Sequence, residues 1–396
     1  MLKRMKSGTI LRICVDLRPL ETGNKYRGFG YYIYNLVKQI IQIDKVNKYV
    51  FLIYSDENPM IPIARKSPNF SFYKIKKPKI KPRFWWLLDQ ISVSRAVKKI
   101  KPDIFISLDV NMPLSLAYQK KIKTINMVYD LIPLIMKKDY NFPVDKTIEF
   151  KLKYLASKKV DRILTISNFS KTDIRKHLKI HQDKIDVVYG AVDEGFKPIS
   201  QLEKNKTKLK FTHNKNYFLV VGDYYGIDPR KNYEFIVSCF NKLLNSPKYA
   251  NYVIVFAGKS GGIVSDYTKI VEQAKKFGIE KKIIFTNFVS QEILIKLMVS
   301  AEILFYPTKY EGFGLPPLQA MACGTPVLSS NNSSLPEVCQ KAAVLLKNTG
   351  DIDEFVKGVN NLIDNRQLYV TRGLSNNQRF SWENSAQVFL SVIKKI

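Results

Sequence analysis

Histidine is the scarcest reactive residue in this chain, with three in 396 positions: His177, His181 and His213. So few supply a histidine zinc site or a Ser-His-Asp triad poorly. Cysteine is almost as rare. Cys14, Cys239, Cys323 and Cys339 form no C-x-x-C pair and no metal spacing, which fits a reducing cytosol. No run of about 18 or more apolar residues occurs, so no membrane-crossing helix is expected. The start Met1-Leu2-Lys3-Arg4 is basic, but the apolar run after it is broken by Arg12. It reads as a tail leading into a first strand rather than a secretion signal. There is no repeat at solenoid periods. No helix-turn-helix, zinc or RNP-like pattern is present, so nucleic acid is not an expected partner.

Acidic residues are also in short supply, 34 against 64 Lys and Arg, for a net charge of +30. The imbalance is uneven. Residues 1–210 carry 43 basic against 19 acidic side chains, and residues 211–396 carry 21 against 15. A basic half suggests an anionic partner such as a phospholipid surface or a lipid pyrophosphate. Drift of composition toward Lys, Asn and Ile is the other reading, but drift should not spare the second half. The segment Tyr73 to Trp86, Y-K-I-K-K-P-K-I-K-P-R-F-W-W, sharpens the question. It reads as an exposed edge strand entering a helix over about residues 84–99. Trp85 and Trp86 either sit at a membrane interface or pack inward.

What is plentiful is alternation of strand and helix. Ile10–Leu17 is a buried strand, followed by a loop ending Arg27-Gly28-Phe29-Gly30 and a helix from Tyr31 to Ile43 with apolar Ile33, Leu36, Val37 and Ile40. Strand, glycine loop and helix is a phosphate-cradle arrangement, which makes Gly28 and Gly30 candidates for ligand contact. A polar stretch, Lys197 to Asn216, breaks the pattern and reads as an interdomain linker. Alternation then resumes with Tyr217–Gly222 and a loop to Arg230-Lys231-Asn232, from which a helix runs to about Leu244. A length of 396 residues suits two domains: 1–200, joined by a closing helix over 383–396, and 201–382. The fold class expected is α/β, with two Rossmann-like doubly wound parallel sheets. Ligands bind such sheets beyond the carboxyl ends of the strands.

The richest stretch is Tyr306 to Val327, Y-P-T-K-Y-E-G-F-G-L-P-P-L-Q-A-M-A-C-G-T-P-V. An apolar strand runs out into a loop holding Gly312 and Gly314, and a short helix is expected over Leu318–Cys323 before Gly324. The free N–H groups at such a helix start form an anion site, and Glu311 presents a carboxylate at its mouth. Arg230 and Lys231 also stand at a helix start, where the dipole already favours negative charge. They read as a clamp for a diphosphate, one forked donor beside a point charge. Asp351-Ile352-Asp353 has the look of a D-x-D metal motif, but helix capping explains it better.

This stretch resembles the signature of the family-4 retaining glycosyltransferases, E-G-F-G-L-P-x-L-E-A-M-A-C-G-T-P-V, with Gln319 where the family has its second carboxylate. Further likenesses are Pro102-Asp103, Asp130-Leu131, Pro229-Arg230-Lys231-Asn232 and Phe380-Ser381-Trp382. Tyr129 stands where family members commonly have histidine, and Asp130 reads either as a turn cap or as a site residue. The resemblance implies the GT-B architecture, two Rossmann-like domains facing a cleft, with the donor on the C-terminal domain and the acceptor entering through the basic N-terminal one. It implies a retaining, metal-independent transfer of a hexose from a nucleotide-diphosphate sugar, GDP-mannose first, to a glycan or lipid-linked acceptor in cell-surface polysaccharide synthesis. Arg230, Lys231 and Glu311 would carry the chemistry. Gly28, Gly30, Asp130, Gly222, Gly312, Phe313, Gly314, Leu315 and Gln319 would line the donor, with no cofactor beyond it. The place of work would be cytoplasmic, with the inner membrane face as a peripheral contact. The alternative implied by Tyr129 and Gln319 is a weak or inactive partner subunit of another transferase.

Overall fold

The computed structural model describes residues 10–23, 28–77, 85–140 and 142–396. The basic tail 1–9, Arg27, and residues 78–84 of the lysine-rich segment lie outside that set. The chain forms two compact units, Met1–Ala191 with Phe380–Ile396, and Val192–Arg379.

The first unit is built on seven strands: β1 (Arg12–Asp16), β2 (Lys48–Ile53), β3 (Phe70–Lys74), β4 (Ile104–Ser107), β5 (Lys123–Met127), β6 (Arg162–Thr165) and β7 (Ile185–Val187). They stand in the order β3-β2-β1-β4-β5-β6-β7, every pair parallel. Helices cover both faces, so the strands carry unbroken apolar runs such as Ile104-Phe105-Ile106, fully buried. Helix Gly28–Ile43 buries Ile33, Leu36, Val37 and Ile40 along one stripe. The final helix, Trp382–Lys394, packs against it and adds Phe389, Val392 and Ile393 to the same core. Its Ser385 hydroxyl donates to the carbonyl of Tyr189 at 2.7 Å.

The second unit has six strands: β8 (Tyr217–Val221), β9 (Val253–Ala257), β10 (Ile283–Phe285), β11 (Ile303–Tyr306), β12 (Val327–Ser330) and β13 (Val344–Leu346). Their order is β10-β9-β8-β11-β12-β13, again all parallel. Aromatic rings fill the core, Phe218 stacking on Phe305 at 4.6 Å between centroids. In both sheets the chain starts at the middle, works outward, then returns to continue on the other side. The reversal falls between β1 and β4 in one unit and between β8 and β11 in the other. Loops leaving those paired strands emerge side by side, which makes each reversal a natural ligand site.

Several local expectations need correction. The stretch read as a linker holds a helix, Gln201–Thr212, within the second unit. Ser200 caps it by accepting from Glu203 N–H, and Lys208 pairs with Glu302 at 3.0 Å. The polar composition hid it, although Ser200-x-x-Glu203 is a helix-start signal. Among the described residues of the lysine-rich segment, those up to Lys74 form strand, the sheet edge β3, and the expectation for 78–84 lies outside the described residues. Trp86 is buried and Trp85 half-buried, so Trp86 packs inward; the exposed apolar side chains of that helix are Leu87, Leu88 and Ile91. The short signature helix begins at Leu315 rather than Leu318 and ends at Ala322. Proline already has a helical φ and lacks an N–H that a first turn leaves unpaired, so Pro316 and Pro317 fit inside it. Asp351 caps the helix Ile352–Asp364 through Glu354 N–H at 2.9 Å.

Candidate functional site

Because β8 and β11 are neighbours, with Ile303 opposite Phe218, the loop carrying Arg230 meets the loop carrying Glu311. The Lys231 ammonium donates to one Glu311 oxygen at 2.8 Å, and Arg230 Nη1 donates to the other at 3.3 Å. Arg230 is also gripped from behind. Its Nε and Nη2 donate to the two oxygens of Asp228 at 2.9 and 2.6 Å. The backbone closes the arrangement, since Lys309 N–H donates to the Arg230 carbonyl at 2.8 Å. Lys231 also donates to the Tyr306 hydroxyl at 3.0 Å, over whose ring it sits at 4.8 Å.

Glu311 is 8% exposed. Burial opposes its charge, but Lys231 and then Arg230 overcome that, and the carboxyl lies below its ordinary range. Tyr306 is pushed far up by burial, with the Glu311 charge adding to it, so its hydroxyl stays protonated and serves as a hydrogen-bonding post. Ser333 Oγ accepts from Glu311 N–H at 3.0 Å, and Ser334 Oγ donates to the carbonyls of Glu311 and Phe313 at 3.0 and 2.7 Å. The loop from Tyr310 to Gly314 is thereby fixed on helix Leu335–Cys339.

The anions expected beside Arg230 and Lys231 are therefore present in the chain itself, as Asp228 and Glu311. An incoming phosphate meets a balanced cluster rather than two bare cations. An ammonium has three donors, and Tyr306 and Glu311 take two of those on Lys231. The signature helix contributes less than the sequence suggests. Pro316 and Pro317 remove two of its first-turn N–H groups, leaving those around Gly314 and Leu315 as main-chain donors. Gly314 is required there, with φ of 112° and a Cβ that would meet Leu335 Cδ2 at 2.8 Å.

The other candidates separate. Gln319 lies on the signature helix, 7% exposed, and its side chain has no hydrogen-bond partner among the described residues. Gly222 follows β8, but the space beside its Cα is filled: a Cβ would lie 2.0 Å from the Tyr233 hydroxyl. Its bare Cα serves packing against Tyr233. Gly28, Gly30 and Asp130 belong to the first unit. Gly28 opens its helix, and Asp130 Oδ1 accepts from Ile132 N–H at 3.0 Å, the arrangement of a turn cap. Tyr129 is half-buried, its hydroxyl donating to the Leu108 carbonyl at 2.9 Å. The sequence reading missed Asp228 and Tyr306. An acidic residue two before Arg230 was the available signal, and the first unit repeats it: Arg18 Nε and Nη2 donate to Asp16 at 2.8 and 2.7 Å.

Two parallel doubly wound sheets in one chain define the GT-B class of fold. The description "Glycosyl transferases group 1" matches residues 201–380, and "Glycosyltransferase Family 4" matches 26–196. The chain belongs to the family-4 glycosyltransferases of GT-B fold. It is similar to the serotype-specific mannosyltransferase WbdA of Escherichia coli, 28% identical over 313 residues, covering 74% of this chain and 37% of that protein. The chain thus spans little more than a third of that relative's length. The O-antigen chain mannosyltransferase B of Escherichia coli is 31% identical over 236 residues, 59% of this chain and 60% of that one. In fold the chain resembles Anabaena HepE, solved with UDP and glucose, at a TM-score of 0.73 and 14% identity over 98% of this chain and 100% of that one.

Proposed function

We propose that this chain is a glycosyltransferase moving a hexose from a nucleotide-diphosphate sugar to a glycan or lipid-linked acceptor in cell-surface polysaccharide synthesis. The observation that carries the reading is the Asp228–Arg230–Lys231–Glu311 cluster where the second sheet reverses. The sugar C1–phosphate bond breaks, and charge grows on the departing diphosphate. Arg230 and the remaining Lys231 donor meet that charge from fixed positions, with main-chain donors near Gly312, Phe313, Gly314 and Leu315 beside them. Glu311 orients the sugar hydroxyls, and Gln319 hydrogen-bonds the ribose. The acceptor oxygen forms its bond to C1 on the face the phosphate leaves, and its proton passes to the leaving phosphate oxygen. In this reading the transfer retains configuration and draws on cations of the chain rather than a metal. Mannose from GDP-mannose is the first choice of donor, because the names of the relatives above are those of mannosyltransferases.

Thermal-shift screening with GDP, UDP and dTDP tests the donor, since the nucleotide that binds the folded state raises Tm. Turnover of the matching nucleotide sugar then tests the reaction. The second reading, an inactive partner subunit, is favoured by one observation, that both cations are already paired with carboxylates. Silence with every donor would establish it. No helix among the described residues is long and apolar enough to cross a membrane. We place the work at the cytoplasmic face of an anionic membrane, with Leu87, Leu88 and Ile91 on a basic unit as the contact. Salt-sensitive binding to anionic vesicles is the expected result.

A further inference from the structure

Asp228 aims Arg230, yet Asp228 stands well past the end of β8 at Val221, in a loop whose Tyr225, Gly226 and Ile227 are exposed. A carboxylate on a loose loop would aim nothing. The matching pair in the first unit meets no such difficulty, because Asp16 is the last residue of β1 and the sheet fixes it. The second unit needs another support for the same device.

That support comes from the start of the helix Asp266–Phe277. Tyr267 N–H donates to the Tyr224 carbonyl at 3.0 Å, and Asp266 N–H donates to the Gly226 carbonyl at 2.9 Å. The third bond uses a side chain: Asp266 Oδ2 accepts from Asp228 N–H at 2.8 Å. An acid in a first helical turn is ordinarily explained by the dipole or by capping. Here Ser265 already caps, accepting from Thr268 N–H, so the carboxylate of Asp266 is free to face the neighbouring loop. It is 6% exposed. Burial raises its carboxyl, and the bond from Asp228 N–H is the strongest influence holding it down. Lys269 helps less and is shared with Glu234 at 3.7 Å. The carboxylate is thus buried next to a second acid, Asp228, and its chief partner is that residue's main chain.

We infer that Asp266 is a positioning residue for the cation clamp: it fixes the main chain of Asp228, whose side chain then fixes Arg230. The order runs from helix start to loop to guanidinium, each step a hydrogen bond of 2.9 Å or less. Asp266 itself touches no phosphate in this scheme. The inference rests on the reading of Arg230 as a diphosphate ligand and adds what makes that ligand stationary.

The test starts without any ligand, from NMR exchange of the Arg230 Nε–H in the full chain. Asp266→Ser removes the carboxylate and leaves a residue tolerated in a first turn. Asp266→Asn keeps an oxygen able to accept from Asp228 N–H. Exchange should quicken about tenfold in Asp266→Ser, the weight of one charge-assisted hydrogen bond, and stay close to the parent rate in Asp266→Asn. Should the serine chain not fold, Asp266→Glu takes its place, since it carries the charge one methylene away and should also quicken exchange. Calorimetric titration with GDP, UDP and dTDP then reads the clamp. The nucleotide that binds the parent should bind Asp266→Ser about tenfold more weakly and Asp266→Asn nearly as well. In an Arg230→Met background, Asp266→Ser should weaken it no further, because the effect passes through that guanidinium. Parent-like exchange in a folded Asp266→Ser or Asp266→Glu chain overturns the inference. So does equal weakening in both backgrounds, or an Asp266→Asn chain as damaged as Asp266→Ser. If no nucleotide binds the parent, the transferase reading falls, and the exchange rates alone decide the positioning.

Discussion

Replacing Lys231 by methionine separates the two things this side chain does. Lys231 and Glu311 are 2.8 Å apart, with side chains 14% and 10% exposed. Breaking a buried pair costs about 3–5 kcal/mol because the remaining charge is stranded. Arg230 still touches Glu311, at 3.3 Å, so the expected loss is about 3 kcal/mol, at the low end of that range. In a unit of this size that lowers Tm by about 6–12 °C. Turnover should fall about 10²–10³-fold, the usual effect of removing one preorganised partner of a developing anion. The double variant Lys231→Met with Glu311→Gln should recover most of the stability, since no buried charge is then unpaired. It should recover none of the turnover. Calorimetry and single-turnover kinetics with the donor found by thermal shift read the two effects. Recovery of turnover together with stability would mean that Lys231 acts only as a counter-charge to Glu311, and the clamp would be abandoned. An unchanged Tm in the single variant would deny the buried pair itself.

Three further outcomes follow from the same geometry. Gln319→Glu should tighten nucleotide-sugar binding in calorimetric titration by restoring a charged acceptor for ribose hydroxyls; weaker binding would count against that role. Gly222→Ala should cost about 1–3 kcal/mol in urea unfolding by forcing Tyr233 from its seat, and Tyr233→Phe in the same chain should relieve part of it. Glu311 has a depressed folded pKa, so its contribution to stability is complete above its unfolded value of about 4.3 and is lost as pH falls through the lower folded value. Below about pH 4.3 the melting temperature of Glu311→Gln should therefore fall less steeply with acid than that of the parent chain, and parallel curves would contradict the shift.

The sequence made the two alternating halves readable because each strand is an unbroken apolar run, as in Ile104-Phe105-Ile106 and Val253-Ile254-Val255. Glu311, Arg230 and Lys231 were likewise nameable from residue type and neighbours. What could not be read was that they touch. Residues 230 and 311 are joined only by the adjacency of β8 and β11, which the spacing of strands along the chain does not state. Gly222 shows a related ambiguity, because a glycine that makes room for Tyr233 looks in sequence like one that makes room for a ligand. The helix at Gln201 escaped because its charged surface outweighed its Ser200 cap. Pro316 and Pro317 were read as loop because proline's suitability for a first helical turn was given too little weight.

The doubled carboxylate grip, Asp16 on Arg18 and Asp228 on Arg230, has a thermodynamic consequence. A guanidinium on a free stem surrenders about 2 kcal/mol of rotamer entropy when it is immobilised. Here that surrender has already happened during folding, in both halves. Whatever Arg230 receives finds it stationary, so the strength of the encounter is not eroded by ordering the side chain that makes it.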